Sequence, residues 1–178
     1  ELYFNLGAGF HSNDARGATA AADRSPGLVR SRGIEAGLRT EPAKGLQTSL
    51  AVYRLAFDSE LAYLGDAGAT EAGLPSVRHG VELSNYYKPV KWLSVDLDLA
   101  YARARSRGAA PGEHFIVGAV EGVGQLGVTV DRRGAWSGSA NLRYAGPRPL
   151  TEDNSVRTGG STTLNGRIGY RVNSRLRL

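Results

Sequence analysis

Between Trp92 and Ala104 apolar and polar residues alternate with period two. Leu93, Val95, Leu97, Leu99 and Tyr101 share one parity, and Ser94, Asp96, Asp98, Ala100, Ala102 and Ala104 the other. Successive side chains of an extended strand point to opposite faces, so this spacing predicts a long strand with one apolar and one wet face. The two mid-strand aspartates argue against a dry core on their side, because a buried, unpaired carboxylate would lose its hydration. At about 3.3 Å per residue the run is long enough to cross a bilayer when tilted. The pattern points to lipid on one side and an aqueous or plugged lumen on the other.

The alternation recurs. Leu2, Phe4, Leu6, Ala8 and Phe10 interleave with polar or small residues, as do Ile34, Ala36 and Leu38, Val81 and Leu83, Leu126, Val128 and Val130, Trp136, Ala140, Leu142 and Tyr144, and Leu164, Ile168, Tyr170 and Val172. The stretch Leu46–Leu64 also looks extended, but its parity slips near Tyr53, which predicts a bulge there. About eight strands result, with the start of a ninth at Leu176–Leu178, and no stretch carries a helical period.

Connections alternate in length. The short ones fall at Glu41–Gly45, Pro89–Lys91, Arg132–Ala135 and Asn173–Arg175, and the long ones at Ser12–Leu28, Gly65–Ser76, Ser106–His114 and Gly146–Gly160. Short periplasmic turns and long external loops are the arrangement of outer-membrane barrels. Trp92, Trp136, Tyr86, Tyr87 and Tyr170 adjoin short turns and are expected to form one aromatic girdle. Phe10, Tyr63, Phe115 and Tyr144 lie toward the long loops and are expected to form the other. Aromatic residues also favour strands in general, which is the plainer account of their placement.

The 178 residues suffice for one domain, and no apolar run of about 18 residues predicts a membrane helix. The absence of cysteine excludes a disulfide scaffold and cysteine metal ligation. The net charge of +5 is scattered, with Arg103, Arg105 and Arg107 as the densest basic group. Without interleaved aromatics or a binding module, no nucleic-acid partner is expected. The chain has no methionine and runs from Glu1 to a terminal Arg-Leu-Arg-Leu. The expectation is a section cut from a longer chain.

The segment Phe4-Asn5-Leu6-Gly7-Ala8-Gly9-Phe10-His11-Ser12-Asn13-Asp14-Ala15-Arg16-Gly17 resembles a barrel strand and following loop of TonB-dependent outer-membrane receptors. Arg32-Gly33-Ile34-Glu35-Ala36-Gly37 and His79-Gly80-Val81-Glu82-Leu83-Ser84 resemble that family's recurring Gly-apolar-Glu strands. Asn85-Tyr86-Tyr87-Lys88-Pro89 and Leu142-Arg143-Tyr144-Ala145-Gly146-Pro147-Arg148-Pro149-Leu150 resemble later strand ends. The likeness spans nearly the whole chain. It implies an all-β fold, an antiparallel up-and-down meander belonging to a transmembrane β-barrel in the bacterial outer membrane. Residues 1–178 would be a partial barrel domain, with the plug domain, the N-terminal coupling motif and the final strands outside it. It further implies uptake of a scarce small ligand such as a siderophore, metal chelate or cobalamin. The implied partners are lipid, the ligand, the receptor's own plug and a TonB-type energy transducer; no cofactor and no enzymatic activity are implied. The rival readings are a passive porin or small complete barrel, and a soluble barrel that binds an apolar ligand inside.

Candidate ligand contacts lie at the long-loop rim: His11, Asn13, Asp14, Arg16, Arg105 and His114. A solvated loop-base role is the simpler reading for the two histidines. His79 shares parity with Val77 and Val81 and is expected to point toward lipid headgroups. No pair of histidines has local metal-ligand spacing. Parity places Glu35, Arg39, Glu82, Asp96, Asp98, Arg143, Arg167 and Arg171 on the wet face, where mixed signs suit a polar plug or water. No Gly-x-Ser-x-Gly elbow or Ser-His-Asp set appears, and only Asp14 beside His11 offers a catalytic pairing.

Overall fold

The computed structural model describes residues 1–12, 19, 27–59, 61–64, 69–174, 176 and 178. Ten strands appear: β1 (Leu2–Ser12), β2 (Leu28–Ala43), β3 (Leu46–Phe57), β4 (Leu61–Leu64), β5 (Ala69–Ala72), β6 (Ser76–Val90), β7 (Leu93–Ser106), β8 (Gly122–Arg133), β9 (Trp136–Ala145) and β10 (Ser161–Tyr170). Eight of them form one antiparallel sheet in the order β1-β2-β3-β6-β7-β8-β9-β10, while β4 and β5 pair as a separate hairpin. The sheet is therefore an up-and-down meander with β1 and β10 at its two edges. Beyond β10 the backbone turns back, and Tyr170 and Leu178 exchange N–H···O bonds of 2.9 Å each way, where a ninth strand was expected to begin. No described helix is long and apolar enough to cross a membrane, a criterion that does not bear on strands.

Register decides which side chains meet. Leu2, Leu38, Leu50, Leu83 and Leu99 lie opposite one another across β1, β2, β3, β6 and β7. Leu97, Leu126, Leu142 and Leu164 form a second row across β7 to β10. The second row is displaced by two residues along β7 from the first. An apolar belt that steps along its strands is the pattern expected of strands tilted against a membrane plane. Leu2 is 82% exposed and Leu164 71%. Among the described residues the buried apolar side chains are Val29, Ala51, Val77, Ala104 and Pro149. A compact domain of this length would bury about 70% of its surface. A single sheet with so small a core depends on whatever covers its apolar face.

The two ends of the sheet differ as the loop lengths require. Short turns lie side by side at one end: the Lys88 N–H donates to Gly45 O (2.8 Å), Asp131 N–H to Trp92 O (2.7 Å) and Arg171 N–H to Ala135 O (2.8 Å). Gly45 turns the β2–β3 hairpin at a φ of 75°, and a Cβ there would meet the Lys88 carbonyl oxygen at 2.7 Å, so both backbone and neighbour call for glycine. Trp136 pairs with Tyr170, their ring centroids 4.7 Å apart.

Three expectations change. The bulge near Tyr53 is absent: β3 runs in unbroken register against β6 from Leu46 to Phe57, and against β2 from Thr48 to Phe57. The register shifts instead accompany short turns, at Thr40/Ala43, Tyr87/Val90 and Val130/Arg133. The parity slip comes from residue placement, with Arg54 on the face of Val52 and Leu55 opposite. Next, residues 61–64 do not continue β3 but form β4 of a hairpin within the β3–β6 connection. Finally, Tyr86 does not join the aromatic girdle at the short turns, because it lies opposite Asp96 on the charged face, whereas Tyr87 lies opposite Val95 on the apolar one.

Candidate functional site

One face of the sheet carries its acidic strand residues. The ladder places Asn5, Glu35, Tyr53 and Glu82 on this face, along with Arg39, Asp96, Asp98, Gln125, Arg143 and Arg167. Their polar groups are tied across strands. Ser84 Oγ donates to Asp98 Oδ1 at 2.5 Å, Gln125 Nε2 to Asp96 Oδ2 at 3.5 Å, and Arg143 Nε to Gln125 Oε1 at 3.0 Å. Asn5 Nδ2 donates to Glu35 Oε1 at 3.2 Å, and the Arg39 guanidinium lies 4.8 Å from the centre of the Tyr3 ring. The Asp96 carboxylate folds over Gly127, directly opposite on β8, where a Cβ would collide with it. A hollow of about 590 Å³ opens on this side between Glu82, Ser84, Asp98, Gln125, Arg143 and Thr163. Such a surface can hold water or a polar partner through bonds of either sign.

The long-loop end is closed over β7 to β10 by two connections, residues 107–121 and 146–160. Ser106 N–H donates to His114 O (2.9 Å), Phe115 N–H to Glu152 O (3.0 Å) and Gly118 N–H to Pro149 O (2.9 Å), so the two loops share backbone bonds. Glu121 is their common counter-ion. Its Oε1 lies 3.5 Å from Arg105 Nη1 and its Oε2 2.9 Å from Arg157 Nη2. The Arg105 guanidinium stands 3.9 Å from the centre of the Phe115 ring, and Arg157 also donates to Asn154 Oδ1 at 2.6 Å. These side chains are only 21% (Arg105, Glu121) and 28% (Arg157) exposed. Arg105 is thus a strut of the rim, and half-buried His114 stacks on Phe115 at 5.0 Å.

The structure brings Arg105 and His114 together and separates His11 from both, since β1 lies four strands from β7, about 19 Å. Only the backbone of His11 is described, opposite Val29. Asn13, Asp14 and Arg16 lie outside the described residues, so the Asp14–His11 pairing falls there too. No group of three or more potential metal ligands occurs among the described residues. Sequence reasoning missed Glu121 and Arg157; they are 36 residues apart, and no local spacing signals their meeting.

The Asp153 carboxyl, at the tip of the second loop, is held down to about 2 from 3.8 by the Thr151 hydroxyl and then by the Ser155 amide and hydroxyl. The last two donate at 3.0 and 2.8 Å. A depressed carboxyl supports the folded loop fully above its unfolded value and loses that support as pH falls through its folded one. The tip is therefore expected to loosen between about pH 4 and pH 2. Carbon-detected NMR should place the Asp153 midpoint near 2; a midpoint near 3.8 would remove the loop bonds as the cause.

The family model for the TonB dependent receptor-like β-barrel matches residues 1–178. The chain belongs to that family. Its meander is accordingly a section of a transmembrane receptor barrel, the charged and apolar faces being the two sides of the wall. Solved receptor structures share the fold. The ferric yersiniabactin uptake receptor FyuA from Yersinia pestis superposes with a TM-score of 0.76 at 20% identity, over 99% of this chain and 28% of that one. The ferric preacinetobactin receptor BauA from Acinetobacter baumannii gives 0.70 at 18%, over 95% and 27%. The copper transporter OprC gives 0.69 at 19%, over 97% and 29%. The chain thus spans under a third of the length of these receptor structures. No curated protein matches by sequence.

Proposed function

We propose that residues 1–178 are part of the barrel wall of a bacterial outer-membrane receptor that takes up a scarce small ligand by energy coupling. The family match over the whole chain carries this reading. The plug domain and the motif that engages a TonB-type transducer belong to other parts of the same receptor. The ligand class is a metal chelate, by analogy with structural relatives that are receptors for ferric yersiniabactin and ferric preacinetobactin. The protein works as a transporter rather than as an enzyme.

Within the wall, two regions take different roles. His11, Asn13, Asp14, Arg16 and His114 are the proposed ligand contacts at the rim, and Arg105 positions the loop that presents His114. The deeper set of Glu35, Arg39, Glu82, Asp96, Asp98, Arg143 and Arg167 lines the lumen and seats the plug. Its mixed charges and cross-strand bonds suit a solvated protein–protein contact of that kind.

Two variants of the full-length receptor separate the roles. Joint alanine replacement of His11, Asn13, Asp14, Arg16 and His114 is expected to weaken ferric-chelate binding at least tenfold with assembly intact. Asp96→Asn with Asp98→Asn is expected to leave affinity within threefold but to slow uptake. Unchanged affinity in the rim variant would remove those residues from the site. Uptake that persists after the proton gradient is collapsed would favour a passive pore instead.

A further inference from the structure

The net charge that looks scattered along the sequence collects at one end of the fold. The short connections occupy residues 41–45, 88–92, 131–135 and 171–175. They hold seven basic residues and two acids, Glu41 and Asp131, a surplus equal to the whole chain's net charge of +5. Everywhere else fifteen basic residues are balanced by fifteen acids. All three lysines of the chain, Lys44, Lys88 and Lys91, lie in these connections.

The connections form an ordered row. Lys44 sits in the two-residue tip between β2 and β3, and Lys91 in the one between β6 and β7. Arg133 ends β8 directly before its tip, and Arg171 directly follows β10. Backbone bonds from Lys88 to Gly45, Asp131 to Trp92 and Arg171 to Ala135 hold each connection beside the next. Successive tips are therefore two strand spacings apart, about 10 Å, and the row runs about 30 Å. Lys44, Lys88, Lys91 and Arg171 are exposed. Among the described residues no ion pair uses a lysine. The Glu41 carboxylate is turned inward, accepting the Gly45 N–H of its own tip at 3.0 Å. The row presents its positive charge to whatever lies outside that end.

Three features narrow the partner. The surface is a line of projecting tips, which fits an extended polymer better than a compact ligand, whose sites are concave. Lysine is a hydrated point charge on a flexible stem and lacks the planar fork by which arginine selects phosphate. The tips also stand beyond the Trp136–Tyr170 pair, and such rings mark the headgroup level, so the lysines reach past the lipid into water.

We infer that this row docks the cell-wall polymer beneath the outer membrane, a linear glycan that carries carboxylate-bearing peptides at intervals. This rests on the membrane reading proposed above, in which the short turns face the periplasm. Fixed spacing lets one polymer strand meet several cations with little ordering cost. Each single pair is weak and screened by salt, so the tether is the sum of many contacts.

The test uses the full-length receptor in phosphatidylcholine nanodiscs and purified cell-wall sacculi, either native or with their carboxyl groups capped as methylamides. Co-sedimentation is read at low and at high salt. Native sacculi are expected to retain wild type roughly tenfold better than capped ones at low salt, and the difference should vanish at high salt. Lys44→Gln with Lys88→Gln and Lys91→Gln should lose most of that preference. Arg107→Gln with Arg148→Gln, exposed in the long loops at the other end, should keep it. Equal retention of native and capped sacculi by wild type, a comparison that needs no variant, overturns the inference. So does an unchanged preference in the lysine variant, even where that variant loses affinity for phosphatidylglycerol added to the disc, which would assign the tips to headgroups. A receptor that inserts normally but shows either result leaves the membrane reading standing. A wild-type protein that never enters the nanodisc overturns both.

Discussion

Replacing Leu97 with arginine is expected to lower stability in a bilayer by about 2–4 kcal/mol, the cost of holding a cation near the hydrocarbon midplane. Leu97 is the fifth of the fourteen residues of β7 and stands within the apolar belt, in a cross-strand row with Leu126, Leu142 and Leu164. Thr129→Arg, on the other face between Ser94 and Ser139, should change stability by less than about 0.5 kcal/mol, as solvated surface substitutions do. Reversible urea unfolding of the receptor in lipid vesicles measures both. Equal small effects would mean that neither face meets hydrocarbon. A large effect at Thr129 alone would turn the wall inside out.

Glu121→Ala is expected to be the most disruptive single change at the rim. It leaves Arg105 and Arg157 without their shared carboxylate and frees the two loops to part. Both pairs keep some contact with water, so each contributes well under a buried pair, about 1 kcal/mol. Together they correspond to roughly a thirtyfold rise in local opening. Hydrogen exchange should report it as lost protection in residues 107–121 and 146–160, with β1 to β3 unaffected. Protection that stays unchanged would show that the shared backbone bonds and the Phe115–Arg105 stack hold the rim alone.

Much of the wall was legible along the chain, because strand alternation is a local property. Asp96 and Asp98 among Leu93, Val95, Leu97 and Leu99 identify a two-faced strand without reference to any neighbour. The same parity places Glu35, Glu82, Arg143 and Arg167 on the face where the structure has them. The same reasoning failed at Tyr53, where Arg54 and Leu55 exchange the usual sides. Parity alone takes that exchange for an extra residue. The ladder shows an unbroken strand whose outward arginine belongs to a row with His79 and Arg103.

The sequence by itself determined an all-β chain, the alternation of short turns and long loops, and, outside β3 beyond Tyr53, the side of the sheet a strand residue occupies. These follow from the two-residue strand period and from local turn chemistry, which act over a few residues. Only the tertiary structure decided which residues stand beside one another. The stepped leucine rows, the row of Arg54, His79 and Arg103, and the Arg105–Glu121–Arg157 rim arise from register between strands and from loops folding over the sheet end. Register is set by a backbone ladder in which every residue offers the same N–H and C=O groups, whatever its side chain. The neighbours across that ladder are therefore distant in sequence, and their spacing leaves no local mark.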